Sequence, residues 1–173
     1  IAKIAGIKMC ESYNSQYKKN YKCIMPTNTV GPNDNYDNLN SHFFPALIKK
    51  AHNIKIQNKN KLILWGNGLA KREVIYVDDL ADACIYFMKN KIKENIINIG
   101  TGVDFTINEY AKRILKLIIP NKKISIKYDI EKPNGTPRKV LDINLAKSYG
   151  WTPKTKLNDA ILKTYWDFLK LKK

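Results

Sequence analysis

The chain has 173 residues and 44% hydrophobic content, which suits one globular domain or one domain and part of a second. No apolar run approaches the roughly 20 residues that cross a bilayer, so we expect no membrane contact. The net charge of +16 raises the question of nucleic acid, but the lysines are scattered and have no aromatic residues interleaved among them. We therefore expect no nucleic-acid partner, and an anionic small molecule as the ligand.

The three cysteines are Cys10, Cys23 and Cys84, and their spacing is not that of a metal site. We interpret them as buried free thiols, which indicates a reducing, cytoplasmic environment, and we predict no metal. The N-terminal residues do not have the pattern of a secretory signal.

The predicted elements alternate between helices and strands. A periodic apolar face predicts a helix over 1–17, and a short strand follows over 22–25. A loop rich in Asn, Asp, Gly and Pro covers 27–40, and Ser41 is the predicted N-cap of a helix that ends near His52. The remaining predicted elements are strands 61–65 and 73–77, a helix capped by Asp78 or Asp79 that ends near Lys89, strand 96–99, helix 106–119 with a capping box, strands 124–127 and 139–141, and helices 144–149 and 157–169. This alternation predicts an α/β fold.

Four segments resemble one family. Segment 25–35 reads Met-Pro-Thr-Asn-Thr-Val-Gly-Pro-Asn-Asp-Asn, and segment 41–47 reads Ser-His-Phe-Phe-Pro-Ala-Leu. Segment 65–79 begins Trp-Gly-Asn-Gly and ends Arg-Glu-Val-Ile-Tyr-Val-Asp-Asp, and segment 134–139 reads Asn-Gly-Thr-Pro-Arg-Lys. Their order and spacing resemble the GDP-L-fucose synthases, which are extended short-chain dehydrogenase/reductases of the NAD-dependent epimerase/dehydratase family.

The resemblance implies the C-terminal part of a Rossmann-type parallel sheet plus a smaller α/β substrate-binding domain. Residues 1–40 then form the last elements of the Rossmann domain. Residues 41–173 belong mainly to the substrate domain, with segments around 73–100 returning to the Rossmann sheet. The chain has no Gly-x-x-Gly-x-x-Gly turn between a strand and a helix, and the Gly66-Asn67-Gly68 turn leads from one strand into another.

The implied reaction converts GDP-4-keto-6-deoxy-mannose to GDP-L-fucose by 3,5-epimerisation and NADPH-dependent 4-reduction. The first three residues resemble the end of a Tyr-x-x-x-Lys motif, so we expect a fragment without the tyrosine and the cofactor-binding half, inactive by itself. The family also implies a homodimer whose contact includes helix 1–17. The apolar face of that helix should then be only partly covered within one chain.

The resemblance assigns catalytic roles to two residues. Lys3 matches the lysine that lowers the pKa of the catalytic tyrosine and bonds the nicotinamide ribose. His42 matches the epimerisation acid and lies beside the cofactor; a histidine suits this role because its pKa is near neutrality. The family's partner cysteine matches none of the three cysteines. The implied cofactor loop is Pro26, Thr27, Asn28 and Thr29, with Thr29 where Leu is commoner.

The same resemblance assigns five residues to the substrate. Arg72, Lys50 and Lys139 are candidate clamps for the diphosphate, and Arg72 is the best suited because a guanidinium forms paired bonds to phosphate. Lys50 stands where the family typically has arginine. Trp65 stacks on the guanine or lines the pocket, although a core position at a strand end is an alternative. Asn134 replaces an aspartate, which removes a negative charge near the nucleotide.

Two other functions remain open on the residues alone. Another nucleotide-sugar epimerase, dehydratase or 4-reductase would share the scaffold without requiring His42. A non-catalytic nucleotide-sugar-binding fragment would require only the substrate residues.

Overall fold

The structure is a computed structural model that describes residues 1–37 and 40–171; positions 38–39 of the predicted loop lie outside the described residues. The helices are α1 (Ala2–Tyr17), α2 (Phe43–Ile56), α3 (Val77–Lys89), α4 (Ile107–Ile118), α5 (Asn144–Ser148) and α6 (Leu157–Lys170). The strands are β1 (Cys23–Pro26), β2 (Asn28–Val30), β3 (Lys61–Trp65), β4 (Lys71–Tyr76), β5 (Ile96–Ile99), β6 (Asp104–Thr106), β7 (Ser125–Asp129) and β8 (Arg138–Lys139).

The strands pair mainly in parallel, which confirms the α/β fold. β1 pairs with β5, and β3 pairs with β7, each in parallel. β4 pairs in parallel with β2 and β8 and antiparallel with β6. Strands that are distant in sequence therefore meet at β4, and this brings the segment 134–139 beside the segment 65–79.

Two hydrophobic clusters hold these elements. The larger cluster packs α2, α4 and α6 against β3, and its fully buried side chains include Phe44, Tyr110 and Ile161. The smaller cluster packs α3 and α5 against β5 around Phe87 and Trp151. Burial of large apolar side chains of this kind contributes roughly 1.5–3 kcal/mol each, so these clusters are the main source of stability.

Several predicted boundaries are wrong. β2 lies within the predicted loop, and β6 precedes α4 where no strand was predicted. The N-cap of α2 is His42 rather than Ser41, and the N-cap of α3 is Tyr76 rather than Asp78 or Asp79. The carboxylate of Asp79 instead accepts backbone hydrogen bonds from residues 154 and 155, so a distant loop determines its position.

Helix α1 has little cover within the chain. None of its residues is buried, and the exposed fraction is 64% for Ile4, 60% for Met9 and 54% for Tyr17. The expectation that its apolar face is only partly covered is therefore confirmed. No helix in the described part of the chain is long and apolar enough to cross a membrane.

Cysteine burial differs from the prediction. Cys10 and Cys23 are half-buried, whereas Cys84 is exposed, so the prediction of buried thiols is wrong for Cys84. All three are free thiols. Cys84 lies on the amphipathic helix α3, on whose outer face a small apolar side chain is tolerated.

Candidate functional site

The predicted cofactor loop lies at the carboxyl ends of two parallel strands. Pro26 ends β1 beside Ile99, the last residue of β5, and the N–H of Thr27 donates to the carbonyl of Ile99 over 3.0 Å. Ligand-binding loops of open α/β sheets occupy this edge. Pro26 and Thr29 are exposed, Asn28 is half-buried and Thr27 is buried. The loop therefore presents Pro26 and Thr29 outward and uses Thr27 as an anchor.

Glu73 fixes this loop, a role that the sequence analysis did not assign. Its backbone carbonyl accepts hydrogen bonds from the Thr27 hydroxyl at 3.3 Å and from the Asn28 amide at 2.8 Å. The Asn28 side chain is thus engaged inside the chain. The sequence holds a signal only for the Glu73 carboxylate, because a charged residue inside an apolar strand is buried only when it is well bonded.

The Glu73 carboxylate is fully buried and accepts hydrogen bonds from three backbone N–H groups. These belong to Thr101 at 2.5 Å, Gly102 at 2.7 Å and Leu141 at 2.8 Å. A Cβ atom on Gly100 would come within 2.2 Å of the carboxylate, so only glycine allows this close approach. Glu73 therefore joins the turn after β5 to the segment after β8.

Trp65 and two lysines form a cluster at the end of β3, in which Trp65 and Lys132 are exposed and Lys50 is half-buried. Trp65 is 56% exposed, so the interpretation as a strand-end core residue is wrong. The Lys50 ammonium lies 5.9 Å from the centre of the Trp65 ring and donates to the carbonyl of Ile63 over 2.9 Å. Burial lowers the pKa of Lys50, and the nearby Asp129 opposes that shift. The Lys132 ammonium lies 5.7 Å from the same ring, and the sequence analysis did not single out this residue.

Arg72 and Lys139 are neighbours because β4 and β8 pair. Their Cα atoms are register partners in this parallel pairing. The Arg72 guanidinium donates to its neighbour's carbonyl and to the carbonyl of Thr136 over 2.5 Å. A Cβ atom on Gly135 would lie 3.0 Å from the same guanidinium. Two of the predicted diphosphate clamps are thus side by side, and Arg72 also holds the loop that leads to Lys139.

Asn134 connects two turns. Its side-chain oxygen accepts a hydrogen bond from the N–H of Asn67 at 2.7 Å, and a Cβ atom on Gly66 would come within 2.2 Å of that oxygen. Gly66 has φ of +65°, which an L side chain rarely adopts. An aspartate could accept the same hydrogen bond, so the replacement preserves the link between the turns while removing a charge.

His42 and Lys3 stand apart from these groups. His42 is exposed at the start of α2, and Lys3 is exposed in the first turn of α1. His42 lies near Asp34, whose pKa is raised by burial, while the Asn35 N–H and then His42 oppose that shift. Among the described residues, no hydrogen bond or ion pair joins His42 or Lys3 to the other predicted site residues.

No group of three or more potential metal ligands occurs in the described ranges. The candidate site therefore consists of a cationic and aromatic surface at the end of β3 and the beginning of β4, and of a polar loop at the end of β1. A cationic surface of this kind can bind an anion such as a diphosphate, and an exposed tryptophan can stack on a planar base.

The parallel strand pairs, with the predicted cofactor loop at the carboxyl ends of β1 and β5, define a Rossmann-like α/β protein. A sequence model of the NAD dependent epimerase/dehydratase family matches residues 1–100. This match covers more than half of the chain, and the chain belongs to that family.

Several similar proteins are named as synthases of GDP-linked sugars. The GDP-L-fucose synthase of Escherichia coli (strain K12) is 44% identical over 98% of this chain and 55% of its own length. The GDP-L-colitose synthase of Yersinia pseudotuberculosis is 40% identical over 98% of this chain and 55% of its own length. A GDP-D-glycero-L-gluco-heptose synthase from Campylobacter jejuni, solved in the presence of NADPH, has a TM-score of 0.80 and 30% identity over 96% of this chain and 58% of that one. The chain thus spans about half the length of the curated relatives it matches.

Proposed function

We propose that the chain is the sugar-nucleotide-binding part of a GDP-L-fucose synthase. The whole enzyme would convert GDP-4-keto-6-deoxy-mannose to GDP-L-fucose by 3,5-epimerisation and NADPH-dependent 4-reduction. The observation that carries this proposal is the pairing of β8 with β4, which sets Lys139 beside Arg72. The loop 134–136 links this pair to the turn after the exposed Trp65. Two adjacent cations and an exposed tryptophan match a nucleoside diphosphate, whose phosphates need paired donors and whose base needs a stacking surface.

In this proposal each of the substrate residues has a different role. Arg72 and Lys139 bind the diphosphate, with Lys50 contributing a further positive charge. Trp65 stacks on the guanine. Asn134 accepts from the backbone of the β3–β4 turn, so it shapes the pocket and leaves the site more positive than an aspartate would.

The residues present fit only the nicotinamide end of NADPH. The loop at the end of β1 has two side chains anchored on Glu73 and exposes Pro26 and Thr29, so its surface is available to a carboxamide. The exposed Lys3 ammonium would hold the ribose. When bound, NADPH supplies the hydride that reduces the 4-keto group.

His42 would serve the epimerisation. Inversion at a carbon next to the keto group requires a base on one face and an acid on the other. The exposed imidazole of His42 would donate the proton that completes the inversion, after a base outside the matched residues has removed the original proton. Lys3 would lower the pKa of a tyrosine that protonates the carbonyl oxygen during reduction.

The test is a chimaera of this chain and the portion of the E. coli relative that it does not cover. We expect NADPH oxidation with GDP-4-keto-6-deoxy-mannose and a product with the L-fuco configuration, whereas the 173 residues alone should oxidise no NADPH. His42→Asn should leave a reduced product that is not epimerised. His52→Asn is the matched control, because His52 lies on the same helix and contacts Tyr165 instead.

A second candidate is another GDP-sugar reductase or epimerase. It is favoured by the 40% identity to the GDP-L-colitose synthase, which is close to the 44% identity to the fucose synthase. Normal turnover and an unchanged product in His42→Asn would support this candidate and contradict the first. A chimaera that binds GDP but turns over neither GDP-4-keto-6-deoxy-mannose nor another GDP-sugar would indicate that the chain is a non-catalytic binding fragment.

Three further assignments accompany this proposal. We propose that the uncovered face of α1 contacts a second copy in a homodimer, as its exposed Ile4 and Met9 suggest. The free thiols support a reducing cytoplasm. Residues 1–40 and segments around 73–100 would belong to the Rossmann domain, and the rest of 41–173 to the substrate domain; the pairing of β1 with β5 supports this division. Sedimentation of the wild type and Ile4→Glu tests the first assignment, since the substitution should give a monomer.

A further inference from the structure

The loop that follows β7 places the ammonium group of Lys132 over the ring of Trp65. Asp129, the last residue of β7, is the register partner of Trp65. The chain then turns, and the N–H of Lys132 donates to the carbonyl of Asp129 over 3.2 Å. This turn directs Lys132 back over the strand pair, so that its Nζ lies 5.7 Å from the centre of the indole ring.

The loop is fastened immediately after Lys132. Asn134 accepts a hydrogen bond from the backbone of the β3–β4 turn at 2.7 Å. Arg72 donates to the carbonyl of Thr136 at 2.5 Å. Two such attachments reduce the conformational freedom that binding would otherwise remove, so Lys132 is positioned before any ligand arrives.

Two cations thus share one exposed aromatic ring. Lys50 lies 5.9 Å from the same ring centre, and its ammonium also bonds the Ile63 carbonyl. Within residues 1–37 and 40–171, neither lysine forms an ion pair with a carboxylate, and Asp129 is the acid that acts on Lys50. Like charges repel, so a bound anion between or beside the two ammonium groups would stabilise this arrangement further.

We propose that Lys132 is a further residue of the nucleotide site, which binds the diphosphate of a guanine nucleotide while Trp65 receives the base. This inference rests on the proposed function and adds a residue to it. The ammonium that lies over the ring in the free chain is drawn to the phosphates, because a charge-assisted hydrogen bond to a phosphate is stronger than a cation–π contact at an exposed site. The ring face that Lys132 covered then becomes available to the purine.

The experiment is a calorimetric titration of the chain with GDP and, separately, with guanosine. We expect Lys132→Gln to weaken GDP binding about tenfold, which is typical for the loss of one charge-assisted hydrogen bond. Guanosine has no phosphate, so its affinity should change less than about twofold, or increase because the ring is less covered. Lys112→Gln is the control: it removes the same charge from an exposed position on α4 and should leave both affinities unchanged.

Each other result overturns a particular step. Equal GDP affinity in Lys132→Gln and the wild type would refute the role of Lys132 while leaving the nucleotide site intact. A parallel loss of GDP and guanosine would mean that Lys132 supports Trp65 or the loop rather than the phosphates. Failure of the wild type to bind GDP would refute the proposed function, and this inference with it.

Discussion

The buried carboxylate of Glu73 gives the most demanding test of how this chain is held together. In Glu73→Gln one carboxylate oxygen becomes an amide nitrogen, which donates where the carboxylate accepted. If the amide oxygen keeps the N–H groups of Thr101 and Gly102, the new NH₂ faces the N–H of Leu141, formerly 2.8 Å from its acceptor. Gly100 packs closely against the carboxylate, which limits a shift of the side chain in that direction.

The expected change in the free energy of unfolding follows from these contacts. One unsatisfied buried donor costs about 1–3 kcal/mol, and the backbone bonds from Thr101 and Gly102 lose the strength that the charge gave them, at about 0.5 kcal/mol each. Relief of the desolvation of a buried charge acts in the other direction. The lost hydrogen bonding outweighs this relief because three backbone N–H groups converge on the carboxylate in fixed positions. We therefore expect the free energy of unfolding to fall by about 2 kcal/mol, which lowers Tm by about 4–8 °C for a chain of this size.

Urea unfolding followed by circular dichroism measures this loss. Glu131→Gln is the matched control, because Glu131 is exposed in the loop after β7 and should change the free energy of unfolding by less than about 0.5 kcal/mol. A Glu73→Gln variant as stable as the wild type would refute the argument, since it would show that the charge and its three donors do not stabilise the fold.

The remaining predictions concern local contacts. Thr106→Ala removes the hydroxyl that caps α4 and should lower the free energy of unfolding, measured in urea, by about 1 kcal/mol. Thr106→Ser keeps a capping hydroxyl and should therefore lose little of this stability. Tyr110→Phe leaves the Arg72 carbonyl without its 3.0 Å donor and should cost about 1–2 kcal/mol; an unchanged midpoint would contradict this. The hydrogen bond from Arg138 lowers the pKa of Asp104 below its ordinary value of 3.8, so this carboxylate stabilises the fold above that pH and the contribution disappears as pH falls through the lowered value. Asp104→Asn should therefore reduce stability at neutral pH but not at pH values below the folded-state pKa, and a constant difference at all pH values would disprove the linkage.

Local signals predicted much of the fold. The strands 61–65 and 96–99 have the predicted bounds, and the capping box of Thr106 and Glu109 is present at the start of α4. Each of these depends on residues that are close in sequence. The resemblance likewise identified the family, because its motifs are short and ordered.

Long-range contacts explain what the sequence did not reveal. β2 has three residues in a segment of loop composition, and only its pairing with β4 makes it a strand. Asp79 has the composition of a helix cap, yet its carboxylate bonds a loop about 75 residues away. Lys132 is one lysine among many in the sequence, and only the β3–β7 pairing places it at Trp65.

The direct test of the central claim is a calorimetric titration of the chain with GDP and with UDP, in the wild type and in Arg72→Lys. We predict that the wild type binds GDP more tightly than UDP, and that Arg72→Lys weakens both, because lysine loses the paired geometry of a guanidinium. Absence of GDP binding, or equal affinity for the two nucleotides, would contradict the assignment of this surface to a GDP-sugar.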